Sequence, residues 1–279
     1  MSVPGVVLGQ RVGPFAGCLS TDLLQQYAAA TADPSPLAQA GQEAPAVALV
    51  TQIWQAQTAG AAALWHPEVT GAMTGGVHGQ HDIVLHRPVA PDEPLTIWVD
   101  GHGAKPAGGN SLLTLRYTAV DRSGDVVAEQ WWSTMLLGVR CLAVGEAAPD
   151  HTFPAEARER PIGTYRAATS AAMVQRYAEV SSDWSAHHFE AAAAGRSGFA
   201  RPFLHGLCTM AVCTAGVVSM VADGRPSRVR RVAVRFASPV FVGEDLEVQV
   251  FQGAERGAYA FEAVSAGAAV LSHGRLELR

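Results

Sequence analysis

The chain repeats itself once, and this repeat limits its fold more than any other feature. Tyr27 to Asp33 reads YAAATAD, and 150 residues on, Tyr177 to Asp183 reads YAEVSSD. The register continues through Asp33-Pro34-Ser35-Pro36-Leu37-Ala38, which lies over Asp183-Trp184-Ser185-Ala186-His187-His188. It drifts by one residue by the time Pro88 meets Pro239, as a duplicated fold with one loop insertion would. Each half then follows one order. An amphipathic helix (Thr21 to Ala30; Ser170 to Val180) leads into a polar turn with a short helix, and a longer apolar helix follows (Pro45 to Thr58; His205 to Ala222). Runs of alternating apolar and polar residues close each half, starting at Val77 in the first and Val229 in the second, which predicts antiparallel strands. The fold class is therefore α+β, with one face of each sheet free to wrap a helix. The expected boundaries are 1–145 for the first unit, 146–164 for a linker rich in Ala, Pro, Glu and Arg, and 165–279 for the second unit.

Composition narrows the function. Apolar residues make up 48% and charged residues 16%, enough for a sizeable core and too apolar for bulk disorder. The net charge of −5, with no long run of either sign, argues against nucleic acid as a partner. Phe203 to Ala222 carries no formal charge and is long enough to span a membrane, but His205, Thr209, Thr214 and Ser219 interrupt it, so a helix buried in a soluble core is expected. Cys18, Cys141, Cys208 and Cys213 show no metal-binding spacing and read as reduced, buried thiols. The N-terminus has no signal-peptide pattern, so the expected compartment is cytoplasmic.

Asp183 and His188 are the candidate catalytic pair. Five residues apart on an ideal helix they would point about 140° from each other. Ser185 as N-cap would leave Asp183 outside the helix, at a solvent-reachable turn, free to fold back toward His188. Further on, Gly206 opens the long helix. Without a Cβ it lets a ligand carbonyl approach the backbone N–H at the positive helix end, an oxyanion hole. The other use of glycine there is close helix-to-sheet packing. His187, next to the candidate base, should face about 100° away and is read as structural. His78, His81, His86 and His102 have no carboxylate at ligand spacing, and no metal or other cofactor is expected.

From Tyr177 to Leu207 the sequence resembles the signature of the MaoC-like (R)-specific enoyl-CoA hydratases (hydratase 2). Asp183, His188, Ala194, Gly198, Phe199, His205 and Gly206 fall in register with that motif. The family's Asn-Pro is Ser185-Ala186 here, which removes an amide and a rigid proline and loosens the turn. In the first half the histidine position is Ala38, and no His-Gly precedes the helix at Pro45, so that half should be inert. The resemblance implies a double hot-dog, two antiparallel sheets each wrapping a long helix and joined side by side, with the site at the seam. It also implies a hydratase or dehydratase acting on a 2-enoyl or 3-hydroxyacyl thioester of coenzyme A or acyl carrier protein, by syn addition or elimination of water at Asp183 and His188. Either residue can be the base. Ser185, Phe199 and His205 would contact substrate, and Val47, Val50 and Trp54 of the first half would wall the acyl pocket. Two alternatives stay open, a non-catalytic acyl-thioester-binding protein and a hot-dog thioesterase. The Ala-rich composition fits a bacterial fatty acid or polyketide pathway, and a homodimer is compatible with all of these readings.

Overall fold

A computed structural model of the protein describes residues 3–150 and 152–279. In chain order its elements are β1 (Arg11–Cys18), α1 (Thr21–Ala30), α2 (Pro36–Gln39), a 3-10 segment (Ala46–Gln52), α3 (Trp54–Leu64), α4 (Pro67–Ala72), β2 (Gly75–Leu85), β3 (Pro94–Ala107), β4 (Asn110–Val120), β5 (Val126–Leu137) and β6 (Val144–Gly145). The second repeat continues with β7 (Pro161–Ala167), α5 (Ala171–Ser181), α6 (Ala191–Arg196), α7 (Gly206–Val221), β8 (Val229–Phe236), β9 (Leu246–Gln252), β10 (Ala258–Ser265) and β11 (Ala268–Leu278).

The chain divides into two compact units. One holds the residues up to Gly17 with Ile53–His86 and Pro94–Asp150; the other holds Cys18–Gln52, Arg87–Glu93 and the stretch after Asp150. The boundary therefore does not follow the expected cut at 145. Residues 18–52 pack into the second unit because α1 lies against α5, burying Tyr27 and Tyr177 with ring centroids 6.1 Å apart, and because the 3-10 segment lies on α5, α7 and β8. The two halves of that helix pair start alike. Ser20 Oγ accepts from the Leu23 N–H, and Ser170 Oγ accepts from the Met173 N–H, so each helix has a capped N-terminus.

In the first unit the antiparallel sheet runs β1-β3-β4-β5-β2, with β6 on the side of β3, and α3 lies across β3 and β4. In the second it runs β8-β11-β10-β9-β7, and α7 packs on β7, β8, β9 and β11. These sheets with their helices are the two hot-dog folds of the duplicated form. The α7 residues Leu207 to Val218 are all buried, the burial expected of a helix that is apolar all round. Gly216 makes that packing possible: a Cβ there would come within 2.2 Å of the Tyr165 ring on β7. No helix among the described residues is long and apolar enough to cross a membrane; all four cysteines are free thiols, but Cys18 is exposed where a buried thiol was expected.

Two expectations need correction. The first-half helix predicted over Pro45 to Thr58 is broken at Ile53 into the 3-10 segment and α3. The β-branched residues Val47, Val50, Thr51 and Ile53 disfavour a continuous α-helix. Thr51 and Gln52 also turn their side chains back on the backbone, with Thr51 Oγ1 donating to the Ala48 carbonyl and Gln52 Oε1 accepting from Cys18 N–H. The segment expected as a linker, 146–164, is partly structured: a 3-10 turn covers Ala155–Glu159, and β7 starts at Pro161 and pairs with β9.

Candidate functional site

Helix α5 stops at Ser182, which takes a left-handed backbone at φ 61° and turns the chain sharply into Asp183. The Ser181 hydroxyl oxygen accepts from the Asp183 N–H at 3.2 Å. The Asp183 carboxylate is then fixed from one side, because Oδ1 accepts from both the N–H and the hydroxyl of Ser185, at 3.1 and 2.5 Å. Ser185 precedes a 3-10 turn over Ala186–His188, and its side chain makes no capping bond. The serine expected as a helix cap instead tethers the aspartate.

That tether leaves Asp183 Oδ2 pointing at His188, 3.9 Å from its Nε2. The His188 ring is held by the backbone: Nδ1 lies 2.9 Å from the Phe203 carbonyl oxygen. A carbonyl only accepts, so Nδ1 carries the proton and Nε2 is the unprotonated, accepting nitrogen. Sequence analysis places both groups at a solvent-reachable turn. The structure corrects this for His188, which is 6% exposed, while Asp183 is partly buried. Burial, and after it the neighbouring His205, pushes the His188 imidazole down to about 2, so the ring is neutral.

His205 caps the start of α7 and packs on the same cluster, its ring centroid 3.8 Å from that of His188 and 5.1 Å from that of Tyr177. Its Nε2 donates to the Asp183 carbonyl at 2.9 Å, which locks the turn to the helix start. Its Nδ1 is therefore a lone pair, and this buried atom has no hydrogen-bond partner. Burial lowers the His205 imidazole as well. Asp183, His188 and His205 offer one carboxylate oxygen and two ring nitrogens within 4.8 Å of one another, the one such group among the described residues. Three donors of that type could hold a divalent ion.

Gly206 is the first residue of α7, and its N–H has no intrahelical acceptor. The packing use of this glycine is also real, since a Cβ would sit 3.2 Å from the Phe236 ring. Phe199 is half-buried with its ring 4.4 Å from that of Phe203. Val47 lines a shallow cleft with Tyr27, Asp33, Ala46, Thr214 and Val218, apart from Asp183 and His188. Val50 is buried in the 3-10 segment, and Trp54 is half-buried at the start of α3, its ring 6.2 Å from that of Trp132.

Sequence reasoning missed two participants. His187 does not face away: its Nε2 lies 3.1 Å from His188 Nε2, and its ring stacks on Phe203 at 5.2 Å with the planes 6° apart. Adjacent positions set only the two Cβ directions, and the His187 ring swings back from its Cβ to lie over Phe203. Phe203 was unread because its part in the site is played by a main-chain carbonyl, which no side-chain pattern announces.

Residues 153–267 match the protein family described as MaoC like domain. Over 118 residues the chain is 32% identical to peroxisomal multifunctional enzyme type 2 of Mus musculus, a match covering 42% of this chain and 16% of that protein. It is 29% identical over 185 residues to 3-hydroxyacyl-thioester dehydratase Y of Mycobacterium tuberculosis, covering 63% of this chain and 61% of that one. The chain thus spans less than two thirds of the length of either relative. Among solved structures, a MaoC-like dehydratase from Phytophthora capsici superposes with a TM-score of 0.82 at 22% identity, over 97% of this chain and 95% of that one, which shows a common fold.

Proposed function

We propose that the protein is a hydro-lyase of the MaoC-like kind, which residues 153–267 match, and that it interconverts a 2-enoyl thioester and a 3-hydroxyacyl thioester. The observation that carries this reading is the gap of 3.9 Å between Asp183 Oδ2 and the unprotonated Nε2 of His188. One water can donate to both atoms across it. In hydration that water loses a proton to one of the two groups as its oxygen bonds to C3, and a proton is delivered to C2 on the same face. Dehydration runs the same steps backwards. The thioester carbonyl, which gathers negative charge as C3 is attacked, is placed at the Gly206 N–H, at the positive end of α7.

On this reading residues 165–279 carry the chemistry, and the buried Val47 and Val50 of the first repeat wall the acyl pocket. Ser185 and His205 act on the substrate through Asp183, and Phe199 backs the ring that holds the base. The carrier is coenzyme A or an acyl carrier protein. The four free thiols support a reducing compartment such as the cytosol.

The test is absorbance of crotonyl-CoA at its enoyl band. Hydration bleaches the band without releasing thiol. Free thiol would identify a thioesterase, and tight binding with neither change would identify a non-catalytic binder. Val47→Phe should move the preference toward short chains while sparing turnover of the four-carbon substrate.

A further inference from the structure

His187 is a buried-edge imidazole that the proposed chemistry leaves idle, yet it touches the basic nitrogen of the catalytic pair. The hydrogen bonds fix what this contact is. His188 Nδ1 donates to the Phe203 carbonyl, so its Nε2 is a lone pair. Another lone pair 3.1 Å away would repel it, so His187 Nε2 must carry a proton and donate. His187 in turn is held by face-to-face stacking on the ring of Phe203. One residue therefore controls both ends of the base: the carbonyl of Phe203 holds Nδ1, and its ring holds the donor to Nε2.

We infer that His187 is a positioning residue, whose Nε2–H caps the lone pair of His188 and fixes its ring in a turn that has Ser185-Ala186 where the family motif has Asn-Pro. This rests on the hydratase reading for its consequence in turnover, while the hydrogen bond itself does not. Asp183 is tethered by Ser185, His205 pins the backbone of Asp183, and without His187 the His188 ring would be hydrogen-bonded through Nδ1 alone. The cap marks the direction from which a water approaches. A water that enters between Asp183 and His188 replaces the His187 N–H as the donor to the same lone pair, so the base is exchanged from one donor to another and is never left to swing. No bond is made or broken by His187.

The test uses the full chain with ¹⁵N-labelled histidine. In the resting protein at neutral pH, His188 should show a protonated Nδ1 and an Nε2 signal shifted upfield of a free imine nitrogen. His187→Leu should move that Nε2 signal downfield toward the free value, and His187→Gln, which keeps an amide donor at the same reach, should hold it near the wild-type position. With crotonyl-CoA, the Leu variant should lose about 10- to 100-fold in kcat with KM nearly unchanged, the size of effect that misplacing a catalytic group produces. The Gln variant should recover most of that loss. A His188 Nε2 signal that ignores His187→Leu overturns the inference whatever the activity, and so does a folded Leu variant with wild-type kcat. A wild type that hydrates no enoyl thioester but shows the predicted ring-nitrogen pattern overturns the hydratase reading and supports the hydrogen bond.

Discussion

The two aspartate turns of the repeat begin alike and end differently. Each follows a non-glycine residue in the left-handed region, Ala32 at φ 49° and Ser182 at φ 61°, and in each the aspartate accepts from the N–H of the serine two residues on. In the first turn the Ser35 side chain looks outward: its oxygen caps the Ala38 N–H at 3.3 Å and its hydroxyl donates to the Gly224 carbonyl. In the second, Ser185 spends its hydroxyl on the aspartate. The first carboxylate is 4% exposed and burial pushes it up to about 6, while the position of the second histidine is filled by Ala38, which is fully buried. One backbone frame thus buries a carboxylate in one copy and sets a carboxylate beside an imidazole in the other. The difference lies in where one serine points and whether an imidazole follows three residues later.

The sharpest way to break the comparison is to take the chemistry away from the second turn. Asp183→Asn should cut hydration of crotonyl-CoA by at least ~100-fold, the lower bound for a general acid or base. A variant keeping more than about a tenth of wild-type turnover would remove Asp183 from the pair. His188→Ala should be as inactive and also destabilised by about 1–3 kcal/mol in denaturant melts, because it leaves the buried Phe203 carbonyl without its donor.

The next test adds the missing group to the first turn. Ala38→His should yield no second active site, since no His-Gly follows it, and should lower stability by about 1–3 kcal/mol because Ala38 has no room for a ring. Doubled activity would show that the first turn is not inert.

A smaller effect separates the carboxylates by pH. The Asp33 acid is raised in the fold from 3.8 to about 6, so the native state holds a proton that the unfolded chain has released. Stability should therefore fall as pH rises from about 4 to about 6, and stay reduced above that. Asp33→Asn should match the wild type in urea melts at pH 4 and exceed it by up to ~3 kcal/mol at pH 8, as about two pH units imply. Equal gains at both pH values would contradict the assignment. The smallest change is Ala32→Gly, expected to stabilise by ~0.5 kcal/mol, the left-handed penalty less the entropy cost of glycine.

Much of this was readable in the chain. The Tyr-to-Asp repeat located both turns, apolar spacing located α1, α5 and α7, and alternation located β2 to β5 and β8 to β11. Three features were not. The break at Ile53 comes from β-branched residues whose apolar spacing still reads as one helix. β7 lies in text that reads as linker because Gly163, Thr164 and Tyr165 gain their strand character only from pairing with β9. His187 was placed by the direction of its Cβ alone, and the ring's rotation onto Phe203 leaves no mark in the sequence.

Residues 18–52 belong to a unit whose other elements come mostly after Asp150, and this has a consequence for synthesis. Helix α1 ends at Ala30, and its partner α5 starts at Ala171, about 140 residues later. At ~5–20 residues per second, the apolar face carrying Leu24 and Tyr27 waits roughly 7–28 s for its partner to leave the ribosome. The second unit can therefore close only after β11 has emerged, so α1 and α2 are the stretch on which a chaperone would act longest.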